Sequence, residues 1–229
     1  MFIELTEILR CPNDHAESYV VAAPITMDGR RIVRGVVGCP ECKAEFPIVD
    51  GVVYFVEEAS LPTSAGGARD GSVRLGGLRP SASGAPPTSS GGPAARPPLP
   101  EYDAAALAAF LNLSGPGGYV ALAGWAARLA PEIVALLPGI HIVAVNPPAG
   151  LAPLPMLSLL MSPRTLPFKT ATLRAVALGA DHAAGPWLAD AARVLLPGLR
   201  LVAEDERASP EGVSELARGA GLFVGMKDR

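Results

Sequence analysis

Aromatic residues make up only 5% of this 229-residue chain, and cysteine occurs three times, at positions 11, 39 and 42. So few cysteines exclude a disulfide framework of the kind that staples small secreted domains. Basic charge is not in excess either: 19 Lys and Arg against 22 Asp and Glu leave a formal charge of −3, with no chain-wide electrostatic footprint for nucleic acid. The opening "MFIELTEILRCP" mixes acids with apolar residues and lacks a basic leader and a small-residue cleavage site. It is not read as a signal peptide, and cytoplasm is the expected compartment. The most apolar run, 135–161, carries no charge but contains Pro138, Pro147, Pro148, Pro153 and Pro155. A membrane helix would not hold prolines at that density, whereas two buried parallel strands separated by turns give the same hydropathy.

What is abundant is apolar surface, 49% of residues, enough for a real core. Of the 24 prolines and 25 glycines, many concentrate in 59–100, a Gly/Pro/Ser/Ala-rich stretch with four arginines and one acid. Such a stretch has too little apolar area to offset its ordering entropy and reads as a flexible linker, with "VRLGGLRP" its one candidate docking segment. It separates two units. Residues 1–58 form a small β-rich module: a short amphipathic turn at "LTEILRCP", strands at "SYVVAAPI" and "RRIVRGVVGC" joined at Asp28-Gly29, and two apolar runs around Asp50-Gly51. Residues 101–229 alternate helix and strand. Helices are expected at 103–113, 125–137, 187–196 and 210–220, and strands at 118–123, 141–146, 156–161, 173–179, 198–205 and 221–226. The fold class is therefore α/β: a β-rich module, a linker, and a mostly parallel sheet with helices on both faces, any site lying at the strands' carboxyl ends.

The cysteines have metal-site spacing. Cys39-Pro40-Glu41-Cys42 is a C-x-x-C knuckle on a turn between strands, and Cys11 opens a first knuckle, "CPNDH". Zn²⁺ takes four N or S ligands in a tetrahedron, and two tight turns supply two each. No second cysteine follows Cys11, so the fourth ligand is His15 or Asp14. His15 is preferred because Cys₃His is a common structural set. A module this small draws much of its stability from such a metal.

"LTEILRCP", the "CPEC" knuckle and "FPIVDGVVYF" together resemble the small zinc-ribbon proteins that activate tRNA and translation-factor methyltransferases, over residues 2–56. The resemblance implies a module that binds and stabilises a class I methyltransferase through an exposed apolar face. Residues 118–229 in turn resemble class I S-adenosylmethionine-dependent methyltransferases. "TLPFKTATLRAVALG" is similar to the segment that leads into that family's fourth strand. "WLADAARVLLPGLRLVAED" is similar to the helix, turn and fifth strand that follow. Against that family's cofactor signature this chain is depleted. Ala121 stands for the acid, Ala123, Trp125 and Ala127 for the three glycines, Asn146 for the ribose-binding carboxylate, and Ser162 for the acid that reads the adenine. The glycines let backbone approach the cofactor, and an indole at the middle position would occupy cofactor space.

The expectation is a retained fold without its site: a non-catalytic binding or scaffold subunit that holds zinc, does not bind S-adenosylmethionine and acts through a protein partner. By the resemblance, that partner is a methyltransferase or a translation or modification complex. The alternatives are an active methyltransferase with an atypical cofactor site and a structural subunit whose linker orders on a larger assembly. Among the remaining polar residues, His182 after Asp181 is a candidate base but reads as a solvated loop residue. His141 reads as structural, Glu204-Asp205-Glu206 as a hydrated run, and Trp125 and Trp187 as core or interface anchors. The sheet's closing antiparallel hairpin is expected to be incomplete, leaving an edge for a partner.

Overall fold

The computed structural model describes residues 1–56 and 100–229. The linker assigned to 59–100 lies outside them except for Pro100. The two described stretches belong to one compact unit.

The module begins with a 3-10 turn, Ile3–Glu7, and continues into β1 (Val21–Asp28) and β2 (Arg31–Gly38), joined at Gly29. β3 (Glu45–Val49) and β4 (Val52–Tyr54) follow. Asp50 and Gly51 between them both have positive φ, 50° and 81°. That is the backbone of a tight primed turn, whose twist matches the strands it joins.

The second stretch opens with α1 (Ala104–Phe110), capped by Asp103, whose carboxylate accepts from Ala106 N at 2.7 Å. Then come β5 (Tyr119–Ala123), a 3-10 turn over Gly124–Leu129, α2 (Ala130–Leu136), β6 (His141–Val145) and β7 (Leu157–Met161). β8 (Leu173–Leu178), α3 (Pro186–Val194), β9 (Leu195–Ala203), β10 (Val213–Gly219) and β11 (Leu222–Lys227) complete the chain. The apolar run that raised the question of a membrane span is the end of α2 plus the buried strands β6 and β7. Among the described residues no helix is long and apolar enough to cross a membrane.

The eleven strands of the described residues form one sheet in the order β1-β2-β3-β4-β7-β6-β5-β8-β9-β11-β10. From β7 to β9 the neighbours are parallel, and the order reverses between β5 and β8, the switch point at which such sheets place their crevice. Two expectations are corrected here. The closing hairpin is complete, since β11 pairs antiparallel with both β9 and β10. The helix expected at 210–220 is strand β10. Val213, Leu216 and Ala217 have helical spacing, but Gly212 and Gly219 bracket the segment with positive φ, and a bulge near Leu216 lets it pair with β11. Pairing across the sheet overrides the local period.

The module joins this sheet directly. β4 pairs parallel with β7, matching Val52 to Leu159, Val53 to Leu160 and Tyr54 to Met161, and Phe55 N continues the ladder to Met161 O at 2.7 Å. A second seam runs over the sheet's face. Leu9 bridges Phe168, with Arg10 N donating to Pro167 O at 3.0 Å and Lys169 N to Ile8 O at 2.8 Å. Leu5, Leu9, Ile48, Val53 and Phe55 of the module share one core with Val143, Leu160, Phe168, Val176 and Leu201. α3 covers part of that face, while α1 and α2 pack on the other. The module's first turn thus buries sheet surface that a crossover helix between β7 and β8 would otherwise cover.

Phe168 is fully buried at this seam. Phe168→Ala is expected to cost about 3–5 kcal/mol and to shift a single cooperative urea transition seen by both near- and far-ultraviolet circular dichroism. Independent unfolding of the module would contradict the shared core.

Candidate functional site

Two clusters of polar side chains stand out, one in the module and one at the carboxyl ends of the parallel strands. In the module, Cys11, His15, Cys39 and Cys42 present donor atoms that all lie within 4.8 Å of one another. Cys11 follows the Leu9 bridge, and Cys39 and Cys42 sit in the turn between β2 and β3, where Cys39 N donates to Ala44 O at 2.9 Å and Lys43 N to Cys39 O at 3.0 Å. Cys11 Sγ is 3.7 Å from Cys42 Sγ, and Cys39 Sγ is 3.5 Å from His15 Nε2. Zn–S bonds of about 2.3 Å and Zn–N bonds of about 2.0–2.1 Å in a tetrahedron give S···S and S···N edges of about 3.8 and 3.6 Å. The donor set therefore fits a tetrahedral ion. His15 Nδ1 lies 2.7 Å from Ala16 O, which fixes the proton there and leaves Nε2 as the free donor, the usual arrangement of a ligating histidine.

The thiols differ. Burial, with neighbouring cysteine sulfurs, pushes Cys11 up to about 12. Cys42 is exposed, and the backbone N–H of Ala44, helped by the Asn13 side chain, holds it down to about 6. Of the two candidates for the fourth ligand, His15 is in the cluster and Asp14 is not.

At the switch point, β5 ends at Ala123 and Gly124 turns the chain with φ +59° into the 3-10 turn that carries Trp125 and Ala127. The space next to Gly124 is filled by the chain itself: Asp181 Oδ1 and His182 Nδ1 lie where a Cβ on Gly124 would stand. Asp181 Oδ1 accepts from Trp125 N at 2.9 Å, so a carboxylate of the β8 loop sits on the amide that opens the turn. Gly179 is equally tight, for a Cβ there would come within 2.6 Å of Ala126 N. Ala121 and Ala123 are fully buried inside β5, with Ala127 buried in the turn that follows. The Trp125 indole is 39% exposed and lies against Arg128, whose guanidinium carbon is 5.4 Å from its ring.

Asn146 and Ser162 bind each other. Ser162 N donates to Asn146 Oδ1 at 2.8 Å and Asn146 Nδ2 donates to Ser162 O at 2.6 Å, which fixes the amide's orientation. Its remaining N–H then faces His182 Nε2 at 3.0 Å, and that nitrogen must accept. His182 Nδ1 lies 3.2 Å from Asp181 Oδ1. The ring packs edge-on to Trp187 at 4.4 Å. His182 is thus no solvated loop residue; its side chain is only 12% exposed.

Glu204 is also not part of a hydrated run. It is 4% exposed at the end of β9 and accepts from Tyr102 Oη, from Arg128 Nη1 at 2.7 Å and from Ala180 N at 3.0 Å. Burial and the bond to Glu204 raise Tyr102 well above the usual phenol range. Asp205 and Glu206 stay near the surface, bonded to Arg207 and Gly221 N. His141 is structural as expected: it is buried, bonded to Ser158 Oγ at 3.0 Å, and lowered by burial to about 4. Sequence reasoning missed Tyr102 and Arg128, which lie outside every motif and are found only through their shared acceptor.

No known protein family matches the chain by sequence, and no curated protein matches it. Solved structures do resemble it in fold. A chain from the complex between the Haloferax volcanii Trm112 methyltransferase activator and a methyltransferase aligns at 16% identity and TM-score 0.42, over 55% of this chain and 90% of that one. The antibiotic-resistance methyltransferase Kmr aligns at 13% identity and TM-score 0.39, over 56% and 94%. A geranyl diphosphate C-methyltransferase from Streptomyces coelicolor A3(2) aligns at 15% and TM-score 0.36, over 44% of this chain and 41% of that chain.

Glu204→Ala would leave Arg128 partly buried without its partner. Loss of stability on the order of 3 kcal/mol is expected, measured by thermal and urea denaturation. A change below about 0.5 kcal/mol, typical of surface sites, would contradict the central place of Glu204.

Proposed function

We propose that the chain is a non-catalytic binding subunit, a methyltransferase-type sheet with a zinc-bearing ribbon module built into its edge, which acts through protein–protein contacts. The observation that carries this reading is the self-occupied crevice. Asp181 and His182 pack on Gly124, Asp181 takes the turn's amide, and Asn146 and Ser162 satisfy each other. A nucleoside ligand entering there would have to displace a carboxylate from its amide donor and break bonds that the protein has already made. It would then find no carboxylate at 121, 146 or 162 to replace them. Dead enzyme folds retain shape without chemistry, and shape is what a scaffold uses.

Isothermal calorimetry with S-adenosylmethionine and S-adenosylhomocysteine is expected to give no heat at millimolar ligand. Micromolar binding would overturn the reading in favour of an active methyltransferase whose β8 loop moves aside.

The module takes its methyltransferase-type partner from within the chain, through β4 and the Leu9–Phe168 seam. Outward contacts then belong to other proteins, in keeping with a place in a translation or modification complex. Cys11, His15, Cys39 and Cys42 would hold Zn²⁺, which supplies a structural cross-link between the two knuckles. Free thiols of this kind suit a reducing compartment such as the cytoplasm. Because Cys11 is two residues from Leu9 at the seam, metal and sheet are mechanically linked. The purified protein is expected to carry about one zinc per chain, and chelation under reducing conditions to lower the melting temperature of the whole unit. Full stability after complete chelation would contradict the structural role of the metal.

A further inference from the structure

The four donors of the cluster are not equally reachable. Cys11 and Cys39 are 2% and 3% exposed, whereas Cys42 faces solvent. Asn13 Nδ2 donates to Cys42 Sγ at 3.4 Å. Cys11 Sγ waits behind it at 3.7 Å, and Cys39 Sγ is turned to His15 Nε2 at 3.5 Å. An oxidant arriving from solvent therefore meets one sulfur, which has Cys11 Sγ at 3.7 Å and, within 4.8 Å, Cys39 Sγ already engaged with His15.

We propose that Cys42 is a peroxide-modification site with Cys11 as its resolving partner, so that oxidation expels the metal and replaces it with a disulfide between the two knuckles. This rests on the metal reading above for the expulsion, but not for the sulfur chemistry. The Cys42 thiolate attacks one oxygen of a hydroperoxide such as H₂O₂, breaking the O–O bond. The sulfur becomes a sulfenic acid, and the leaving hydroxide takes a proton to become water. The Cys11 thiolate, freed as the metal loses its Cys42 ligand, attacks the sulfenic sulfur. The S–S bond forms as the S–O bond breaks, and the hydroxide leaves as a second water. Two electrons pass from the sulfur pair to the peroxide. Only Cys39 and His15 then remain as donors, too few for a structural tetrahedral site.

The choice of partner has a structural consequence. Positions 11 and 42 lie on different knuckles, on either side of β1 and β2, so their disulfide holds Cys11 in place where the metal did. With Cys11 held, the Leu9–Phe168 bridge stays anchored. A Cys39–Cys42 disulfide would close only its own turn and leave Cys11 loose. Oxidised, metal-free protein is therefore more stable than reduced, metal-free protein.

The test uses the full chain, prepared reduced and assayed for zinc, then exposed to H₂O₂ under anaerobic conditions. Zinc release is followed with a chromogenic chelator, intact mass by mass spectrometry, and cysteine connectivity by peptide mapping after alkylation. The expected result is loss of two hydrogen atoms per chain, a Cys11–Cys42 cross-linked peptide, one zinc released per cross-link, and reversal by dithiothreitol. The oxidised protein should melt above the chelated, reduced one. Cys39→Ser should still form the cross-link, whereas Cys42→Ser should not. A Cys39–Cys42 cross-link, stable sulfinic acid at Cys42, or unreactive thiols would overturn the proposal. If the starting protein holds no zinc yet the Cys11–Cys42 cross-link forms, the sulfur assignment stands and the metal reading fails.

Discussion

The parallel pairing of β4 with β7 is the contact on which the rest of the molecule depends. Each strand would otherwise end its part of the structure as an edge, with a row of unpaired N–H and C=O groups inviting association. β4 is only three residues long, too short to hold the module by hydrogen bonds alone. The seam over the sheet's face supplies what the strand cannot: Leu5, Leu9 and Phe168 bury apolar surface in a core to which module and sheet both contribute. Strand pairing sets register and direction, and the face contact supplies most of the free energy. β7 is one strand from β6 and two from β5, so the module braces the sheet beside its switch point.

The strands around the switch point are held by buried Ala, Val and Leu, and by the pairing of β5 with β6 and β8. None of that packing depends on a ligand. At the carboxyl ends of these strands Asp181 accepts from Trp125 N and Asn146 joins Ser162 to His182, with Glu204, Tyr102 and Arg128 bonded together beside them.

Local features of the sequence were legible where one residue type controls one backbone geometry. Gly29 and Asp50-Gly51 mark their hairpins because positive φ is needed there, and the apolar runs of β5, β6 and β8 mark strands buried on both faces. Cysteine spacing located the cluster, with His15 and not Asp14 reaching it. The rest was hidden for physical reasons. β10 has a helical spacing of apolar residues and becomes a strand only because β11 is there to pair with. Glu204 looks hydrated beside Asp205 and Glu206, and its burial is decided by Tyr102, far away in sequence. Nothing near Val52 announces that it will pair with Leu159, since register between distant strands is set by the packing of both faces. The carboxyl ends of the strands were half legible: Ala121, Ala123, Asn146 and Ser162 could be read at their positions, but not the hydrogen bonds that tie Asn146 to Ser162 and Asp181 to Trp125.

The most direct test of this account is to ask whether the module and the sheet remain one body when the chain between them is cut. A specific protease site placed within 57–99, followed by complete cleavage, would leave residues 1–56 and 100–229 connected only by β4–β7 pairing and the Leu9–Phe168 seam. Co-elution of the two fragments in size-exclusion chromatography, with one melting transition, is the predicted result. Separation into two species at micromolar concentration would mean that the linker, and not the shared sheet and core, holds the molecule together.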